Sequence, residues 1–427
     1  MTLDFHADLA ARGLLHQSTS PEVADLLRAG PLTAYIGFDP TADSLHVGSL
    51  LPVLALVRLQ RAGHRPIAVV GGGTGMIGDP SGKSSERTML TREQIDANVA
   101  GIRRQLERFL DFSGATAARV VDNLDWLGRL DLIGFLRDVG KHFSVNAMIQ
   151  RDSVQLRLSG RDQGISYTEF SYALLQAYDF LELFDRFGCR LQVGGSDQWG
   201  NIVDGCELIR RLRQAEAFGI TMPLVTKSDG SKFGKSEAGN VWIDPARTSP
   251  FAFYQFWLNT PDDDVVRHLN FFTFLAPEAI AGLAAKHGAH PERREAQRAL
   301  AEEATRLVHG ADALASAQRT TAVLFDGGDL RSLGARELAD GLAEAPRARV
   351  GRAELDGGLD LPGALVRCGL ATSKGQARTS IQQGAVSVNG AIVKDDTRTL
   401  TGADLLTGRF VVLRRGKKTY SLLDVAE

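Results

Sequence analysis

Hydrophobic and polar positions fall in alternating blocks along the first 245 residues, short apolar runs giving way to longer amphipathic ones. LTAYIGF, PIAVVGGG, ARVVDN and CRLQVGG read as strands, and PIAVVGGG is apolar on both faces, as expected of a central strand in a covered parallel sheet. Between them, Leu50 to Gln60, Arg92 to Phe109 and Ile202 to Ala217 carry helical spacing, the last opening from SDQWGN. This alternation predicts an α/β domain with a Rossmann-like parallel sheet over residues 1–245. Two amphipathic stretches near the start, Phe5 to Arg12 and Glu22 to Ala29, each close on a glycine.

From Pro250 to about Leu338 the pattern turns helical (FAFYQFWLN, APEAIAGLAAKH, Glu292 to Val308), predicting a helical domain over 246–345. Glycine, proline and acids dominate RVGRAELDGGLDLP, so 346–358 reads as a linker before a small α+β module at 359–427. In that module LVRCGLATSKGQARTSIQQGAVSVNGAIV reads as helix, turn, helix, then a hairpin turning at Asn389-Gly390.

Composition changes this picture in one place. Over 427 residues, 44% apolar and 23% charged residues with a net charge of -2 describe an ordinary globular chain. The charge is unevenly spread: residues 361–427 hold ten Lys and Arg against five Asp and Glu, whereas 301–360 hold seven against eleven. A basic module behind an acidic spacer fits a polyanion-binding tail, and a packing module would look the same. Cys189, Cys206 and Cys368 are too far apart for a disulfide framework or a C-x-x-C metal pair, which fits a reducing cytoplasm. MTLDFHADLA carries acids where a secretion signal needs basic residues, and no apolar run of about 18 residues predicts a membrane span.

Candidate chemistry lies in five polar segments. GTGMIG follows a strand and fits a dinucleotide fingerprint, but Asp79 and Pro80 stand where the phosphate-binding helix should begin. GDPSGKS mimics a P-loop with Ile77 where that nest needs glycine. What survives is a glycine-lined strand end delivering Asp79, with Lys83 and Arg87 on the loop beyond. In GFDPTADSLHVGS, Thr41 and His46 sit before a helix whose free N–H groups favour phosphate. In YTEFSYALLQAYDF, Tyr172, Gln176 and Asp179 share one helix face, although a surface stripe has the same spacing. GGSDQWGN puts Gly195, Asp197 and Gln198 after a strand, where α/β ligand sites occur. SDGSKFGKS can bring Lys232 and Lys235 onto one polyanion, and a plain charged loop would read alike.

Taken together these segments resemble the bacterial-type tyrosyl-tRNA synthetases, class I aminoacyl-tRNA synthetases, over nearly the whole chain. YIGFDPTADSLHVGS is similar to the first class signature and KFGKS to the second, while GDPSGK, YTEFSYALLQAYD and GGSDQWGN are close to family segments. The resemblance implies attack of the tyrosine carboxylate on the α-phosphate of ATP, then transfer of the tyrosyl group to the terminal adenosine of tRNA(Tyr). By position, it implies Tyr35 and Asp179 at the substrate phenol, Asp79, Tyr172 and Gln176 at its ammonium, and Gln198 near its carboxylate. Gly37, Asp39, Gly48, Ser49, Gly195 and Asp197 are implied for ATP, the last two at its ribose. Thr41, His46, Lys83, Arg87, Lys232 and Lys235 are implied at the phosphates. The tail resembles the S4-type RNA-binding module, with Lys374, Arg378 and Arg398 as its cations. Also implied are ATP with Mg2+ and no protein-held metal, a homodimer, and no membrane partner.

Two positions depart from the family pattern. Ile36 replaces a cysteine common beside the substrate-reading tyrosine, and Ser49 replaces a second histidine of the first signature. Serine starts helices well, so altered ATP contacts are expected and not inactivity. The rivals are a tryptophanyl-type synthetase, which shares both signatures, an RNA-binding protein with a silent synthetase core, and a dehydrogenase.

Overall fold

The computed structural model describes residues 3–81, 89–158, 164–226, 228, 233–236, 239–416 and 419–426; for 152, 153, 156, 235 and 236 it describes the backbone alone. The chain divides into two compact units, residues 1–247 with 260–300, and residues 248–259 with 301–427. The helical stretch expected as one domain over 246–345 is therefore shared between the units.

The first unit is built on a six-stranded sheet of order β1-β6-β5-β2-β3-β4. Its strands are β1 (Gln17–Ser18), β2 (Thr33–Phe38), β3 (Arg65–Val70), β4 (Arg119–Asp122), β5 (Cys189–Gly195) and β6 (Phe218–Met222). Only β1, at the edge, runs antiparallel to its neighbour. Strand β6, FGITM, is wholly buried, and the sequence pattern does not predict it. Five apolar or small residues without alternation carry no period to separate them from the preceding helix.

The crossovers are α2 (Val47–Arg61) between β2 and β3, α3 (Arg92–Leu106) between β3 and β4, and α5 (Trp199–Arg213) between β5 and β6; α1 (Phe5–Ala11) precedes the sheet. The long helix α4 (Tyr167–Phe187) leads into β5. The Ser166 side chain caps its start by accepting from the Glu169 amide, and Gly188 ends it at φ 59, a left-handed conformation that glycine adopts without a Cβ penalty. Ala177, Phe180, Leu181 and Leu183 of α4 pack with Tyr35, Ile67 and Val69 of the sheet. A further helix, α6 (Asp262–Phe272), belongs to this unit as well.

The strand order reverses direction between β5 and β2. In an open α/β sheet, ligands bind at that switch, outside the carboxyl ends of the strands.

In the second unit, a five-stranded sheet comprises β7 (Arg347–Gly351), β8 (Val386–Val388), β9 (Ala391–Val393), β10 (Phe410–Arg415) and β11 (Thr419–Ala426), in the order β9-β8-β10-β11-β7. The hairpin β8–β9 turns at Asn389 (φ 49) and Gly390 (φ 85), the paired positive φ values a type I′ turn requires. Residues 346–358 are not a linker. They supply β7, which pairs in parallel with β11, and the helix Arg352–Asp356. The alternation RARVG, exposed and buried in turn, is the pattern of a half-buried edge strand. Glycine and acid content masked it. A separate cluster joins Leu324, Leu330, Leu338 and Leu342 to Phe410, Val412 and Leu422, so the last helices before β7 share a core with this sheet.

Candidate active site

At the switch between β5 and β2 lies a cavity of ≈ 770 Å³. Tyr35, Gly37, Asp39, His46, Gly48, Ser49, Asp79, Tyr172, Gln176, Asp179, Gly195, Asp197 and Gln198, all candidates from the sequence, line it. Thr41 does not; it is exposed, its amide donating to the Asp39 carbonyl at 2.9 Å. Lys83, Arg87 and Lys232 lie outside the described residues, as does the side chain of Lys235.

One end of the cavity holds a buried carboxylate and a buried hydroxyl. Asp179, on α4, is buried, and each of its carboxylate oxygens holds one donor: Trp126 Nε1 to Oδ1 at 2.7 Å and Asn123 Nδ2 to Oδ2 at 2.9 Å. Burial pushes its pKa up to about 7, against the lowering effect of those two bonds. The Tyr35 hydroxyl, buried by the same core, has no hydrogen-bond partner among the described residues. Desolvation first, and the nearby Asp179 charge second, raise the Tyr35 pKa well above its ordinary value. An unpaired O–H beside a carboxylate with spare lone pairs suits a ligand that both donates and accepts, which is what a hydroxyl does. Gln192 Oε1, also buried and unpartnered among the described residues, lines the same cavity.

Further along, three side-chain amides run as a hydrogen-bonded chain to one carboxylate. Gln198 Nε2 donates to Asp79 Oδ2 at 2.7 Å, Gln176 Nε2 donates to Gln198 Oε1 at 3.1 Å, and Asn201 Nδ2 donates to Gln176 Oε1 at 3.0 Å. The Tyr172 hydroxyl donates to Asp39 Oδ1 at 3.3 Å. Burial raises the Tyr172 pKa, helped by Asp39, Asp79 and Asp179, so it stays a neutral donor. Four carboxylates (Asp39, Asp79, Asp179 and Asp197) facing one cavity give a field that favours a cation such as an ammonium group. Among the described residues, no group of three or more His, Cys, Asp or Glu side chains is arranged to hold a metal ion.

The glycines after β3 serve packing and not a phosphate nest. The Gly72 amide donates to Asp122 Oδ1 at 3.1 Å and the Gly73 amide to Asn123 Oδ1 at 2.8 Å. A Cβ on Gly72 would stand 2.3 Å from that Asp122 oxygen. With these amides spent internally, the dinucleotide reading of GTGMIG has no anion-binding loop to rest on.

The two signatures meet. His46 is the N-cap of α2, its Nδ1 accepting from the Gly48 amide at 3.0 Å. An accepting Nδ1 on a neutral ring leaves the proton on Nε2. From the other signature, Gly234 sits so close that a Cβ there would be 3.1 Å from Val47 Cγ2 and 3.9 Å from His46 Nδ1. The chain that follows pairs with the first signature: the Val47 amide donates to the Val241 carbonyl at 2.9 Å, and the Ile243 amide to the Leu45 carbonyl at 3.0 Å. Trp242 packs edge-on to His46 and carries Arg247 over its ring at 3.5 Å.

Sequence reasoning missed Asn123, Trp126, Gln192, Asn201 and Phe233. Asn123 and Trp126 follow β4 directly, so the rule that ligand groups follow the carboxyl ends of sheet strands could have flagged them. In the second unit, Lys374 and Arg378 are exposed one turn apart on the helix Lys374–Gln382; Lys374 pairs with Asp360 at 3.2 Å, and Arg398 pairs with Asp404 at 2.6 Å.

Residues 27–326 match the family described as tRNA synthetases class I (W and Y), which leaves tryptophan and tyrosine enzymes undivided. Residues 337–423 match the tyrosine–tRNA ligase SYY-like C-terminal domain. The tyrosine–tRNA ligase of Dechloromonas aromatica is 55% identical over 420 residues, 97% of each chain. The chain belongs to the tyrosine–tRNA ligase family. It is therefore an enzyme, an aminoacyl-tRNA ligase with a Rossmann-like class I catalytic domain. The tyrosine–tRNA ligase of Geobacillus stearothermophilus is 52% identical over 427 residues, covering 99% of this chain and all of that one. Among solved structures, a C-terminally truncated mitochondrial tyrosyl-tRNA synthetase of Aspergillus nidulans superposes with a TM-score of 0.67 at 32% identity, covering 75% of this chain and 94% of that one.

Proposed function

We propose that the chain activates L-tyrosine with ATP and transfers the tyrosyl group to the terminal adenosine of tRNA(Tyr), using the cavity at the β5/β2 switch. One observation carries the residue roles: the unpartnered Tyr35 hydroxyl and the buried Asp179 carboxylate share that cavity. The substrate phenol donates to Asp179 and accepts from Tyr35. Phenylalanine would leave both groups buried and unpaired, which costs more than the lost contact itself.

Asp79, Tyr172 and Gln176 receive the ammonium, and Gln198, oriented by Asp79, lies toward the carboxylate. The carboxylate oxygen attacks the α-phosphorus of ATP, a P–O bond forms as the bond to pyrophosphate breaks, and tyrosyl-adenylate results. Gly195 and Asp197 take the ribose, with Gly37, Asp39, Gly48 and Ser49 along the rest of the nucleotide. The His46 Nε2–H and the α2 amino terminus face the leaving phosphates, and Lys83, Arg87, Lys232 and Lys235 are assigned to the same charge. Magnesium enters with the ATP substrate. A ribose hydroxyl of the tRNA terminus then attacks the tyrosyl carbonyl and AMP leaves.

The second unit, with Lys374, Arg378 and Arg398, serves tRNA, and phosphate contacts there give affinity without reading sequence. Leu132, Ile133 and Leu136, exposed at 67%, 68% and 43% on the helix Leu132–Asp138, offer an apolar face for a second copy of the chain. Three free cysteines fit residence in the reducing cytoplasm. Among the described residues no helix is long and apolar enough to cross a membrane.

The test is exchange of labelled pyrophosphate into ATP by the purified protein. Exchange that requires tyrosine is expected. Exchange driven by tryptophan, or none with any amino acid, would refute the assignment.

A further inference from the structure

The two signatures rest on two helices, and a buried ionic cluster joins those helices away from the cavity. His46 caps the start of α2. The second signature leans on α6: Phe233 stacks on Phe272 at 5.3 Å and meets His268 edge-on at 5.0 Å, while Asp264 Oδ2 accepts from the Ser228 amide at 3.1 Å. Twelve residues along α2 from His46, a span of about 18 Å at 1.5 Å per residue, stands Arg58. Its side chain is 1% exposed.

Arg58 Nη1 donates to Asp8 Oδ2 at 2.8 Å, and its Nη2 donates to the Thr273 carbonyl at 2.7 Å, just past the end of α6. Arg12 completes the set: its Nε donates to Asp8 Oδ1 at 2.7 Å and its Nη2 to the Leu275 carbonyl at 2.8 Å. Both guanidiniums also reach the Asn270 carbonyl at 3.5 Å. Two buried cations thus share one carboxylate, and their surplus charge is met by carbonyls at the α6 carboxyl end, where the helix field is negative. Phe274 lies under Arg58 at 4.8 Å and under Arg61 at 3.7 Å. Arginine is required for this geometry, because one planar fork must serve a carboxylate and a carbonyl in fixed directions.

We propose that Asp8, Arg12 and Arg58 are positioning residues for adenylate formation: by locking the carboxyl end of α6 against α2, they set how closely the second signature approaches His46. A shift of α6 passes to Phe233 and Gly234, and Gly234 sits where a Cβ would stand 3.1 Å from Val47 Cγ2. The tyrosine-reading groups do not depend on this lock, since Tyr35, Asp179 and Gln198 stand on or after β2, α4 and β5.

The inference rests on the proposed activity, and one experiment separates the two. Tyrosine-dependent pyrophosphate exchange and tyrosine binding by equilibrium dialysis are measured on the full chain, on Arg58→Lys and on Arg12→Lys. Failure of the unaltered chain to exchange would refute the activity itself. The expected result is a tenfold or greater fall in kcat for exchange in Arg58→Lys, with the tyrosine Kd held within twofold and a smaller fall of the same kind in Arg12→Lys. Unchanged kcat in both variants would overturn the proposal. So would loss of tyrosine binding in step with exchange in both, which would make the cluster a general support of the fold.

Discussion

Trp126 donates its indole N–H to the Asp179 carboxylate at 2.7 Å, and Asn123 takes the other oxygen at 2.9 Å. These two side chains hold the carboxylate in one orientation and lower its charging cost in a buried setting. Without them desolvation would act unopposed.

Removing one donor should therefore weaken tyrosine binding. Hydrogen bonds to charged groups contribute about 1.5–3 kcal/mol, so Trp126→Phe is expected to raise the tyrosine Kd tenfold or more. Titration of tyrosine by fluorescence or dialysis checks this. A Kd within twofold of the unaltered chain would remove Trp126 from the site.

Binding should also depend on pH through Asp179, whose pKa stands at about 7. Only the ionised carboxylate keeps all its lone pairs for the incoming phenol, so tyrosine affinity is expected to rise from pH 6 to pH 8 and then level. In Asp179→Asn that dependence should vanish along with most affinity. The same raised pKa has the opposite sign for stability: the folded state holds the proton more tightly than the unfolded chain, so this group's contribution declines as pH rises from about 4 to about 7. Melting temperatures of the two proteins across that range would show the difference.

Gly48 gives a test of the first signature alone. A Cβ there would stand 2.7 Å from His46 Cε1, so Gly48→Ala must turn the ring out of its cap. Pyrophosphate exchange is expected to slow by about tenfold to a hundredfold, the equivalent of roughly 1.4–2.8 kcal/mol in the barrier. Tyrosine Kd should stay put. Equal effects on both would place the damage in the fold and not at His46.

For the tail, charge reversal is a cleaner probe than deletion, because a cut near residue 350 would leave β7 behind without its partner β11. Lys374→Glu with Arg378→Glu is expected to raise the KM for tRNA and flatten its salt dependence, while exchange continues at the original rate. An unchanged tRNA KM would exclude this helix from the RNA surface.

The exposed aliphatic face of the helix Leu132–Asp138 leads to one more outcome. Ile133→Glu should shift the sedimentation of the protein from dimer toward monomer. A protein monomeric before the change, or a dimer untouched by it, would remove that face as the contact.

Much of this molecule is written locally. The non-alternating strands with helices between them determined a parallel sheet, the steps of four and three among Tyr172, Gln176 and Asp179 determined a shared face, and Asn389-Gly390 determined a hairpin. Such features follow from backbone period and turn sterics, which a few neighbouring residues suffice to set. The signature segments likewise carried the family, since they combine unusual residue types in a fixed order. Tertiary structure decided the rest. It brought Trp126 to Asp179 across 53 residues and Asn123 to the same carboxylate across 56, laid Gly234 against Val47, and made a strand of 347–351 by pairing it with the end of the chain. No local pattern encodes those meetings, because a side chain's period says which way it faces and not which distant element the fold will carry to it.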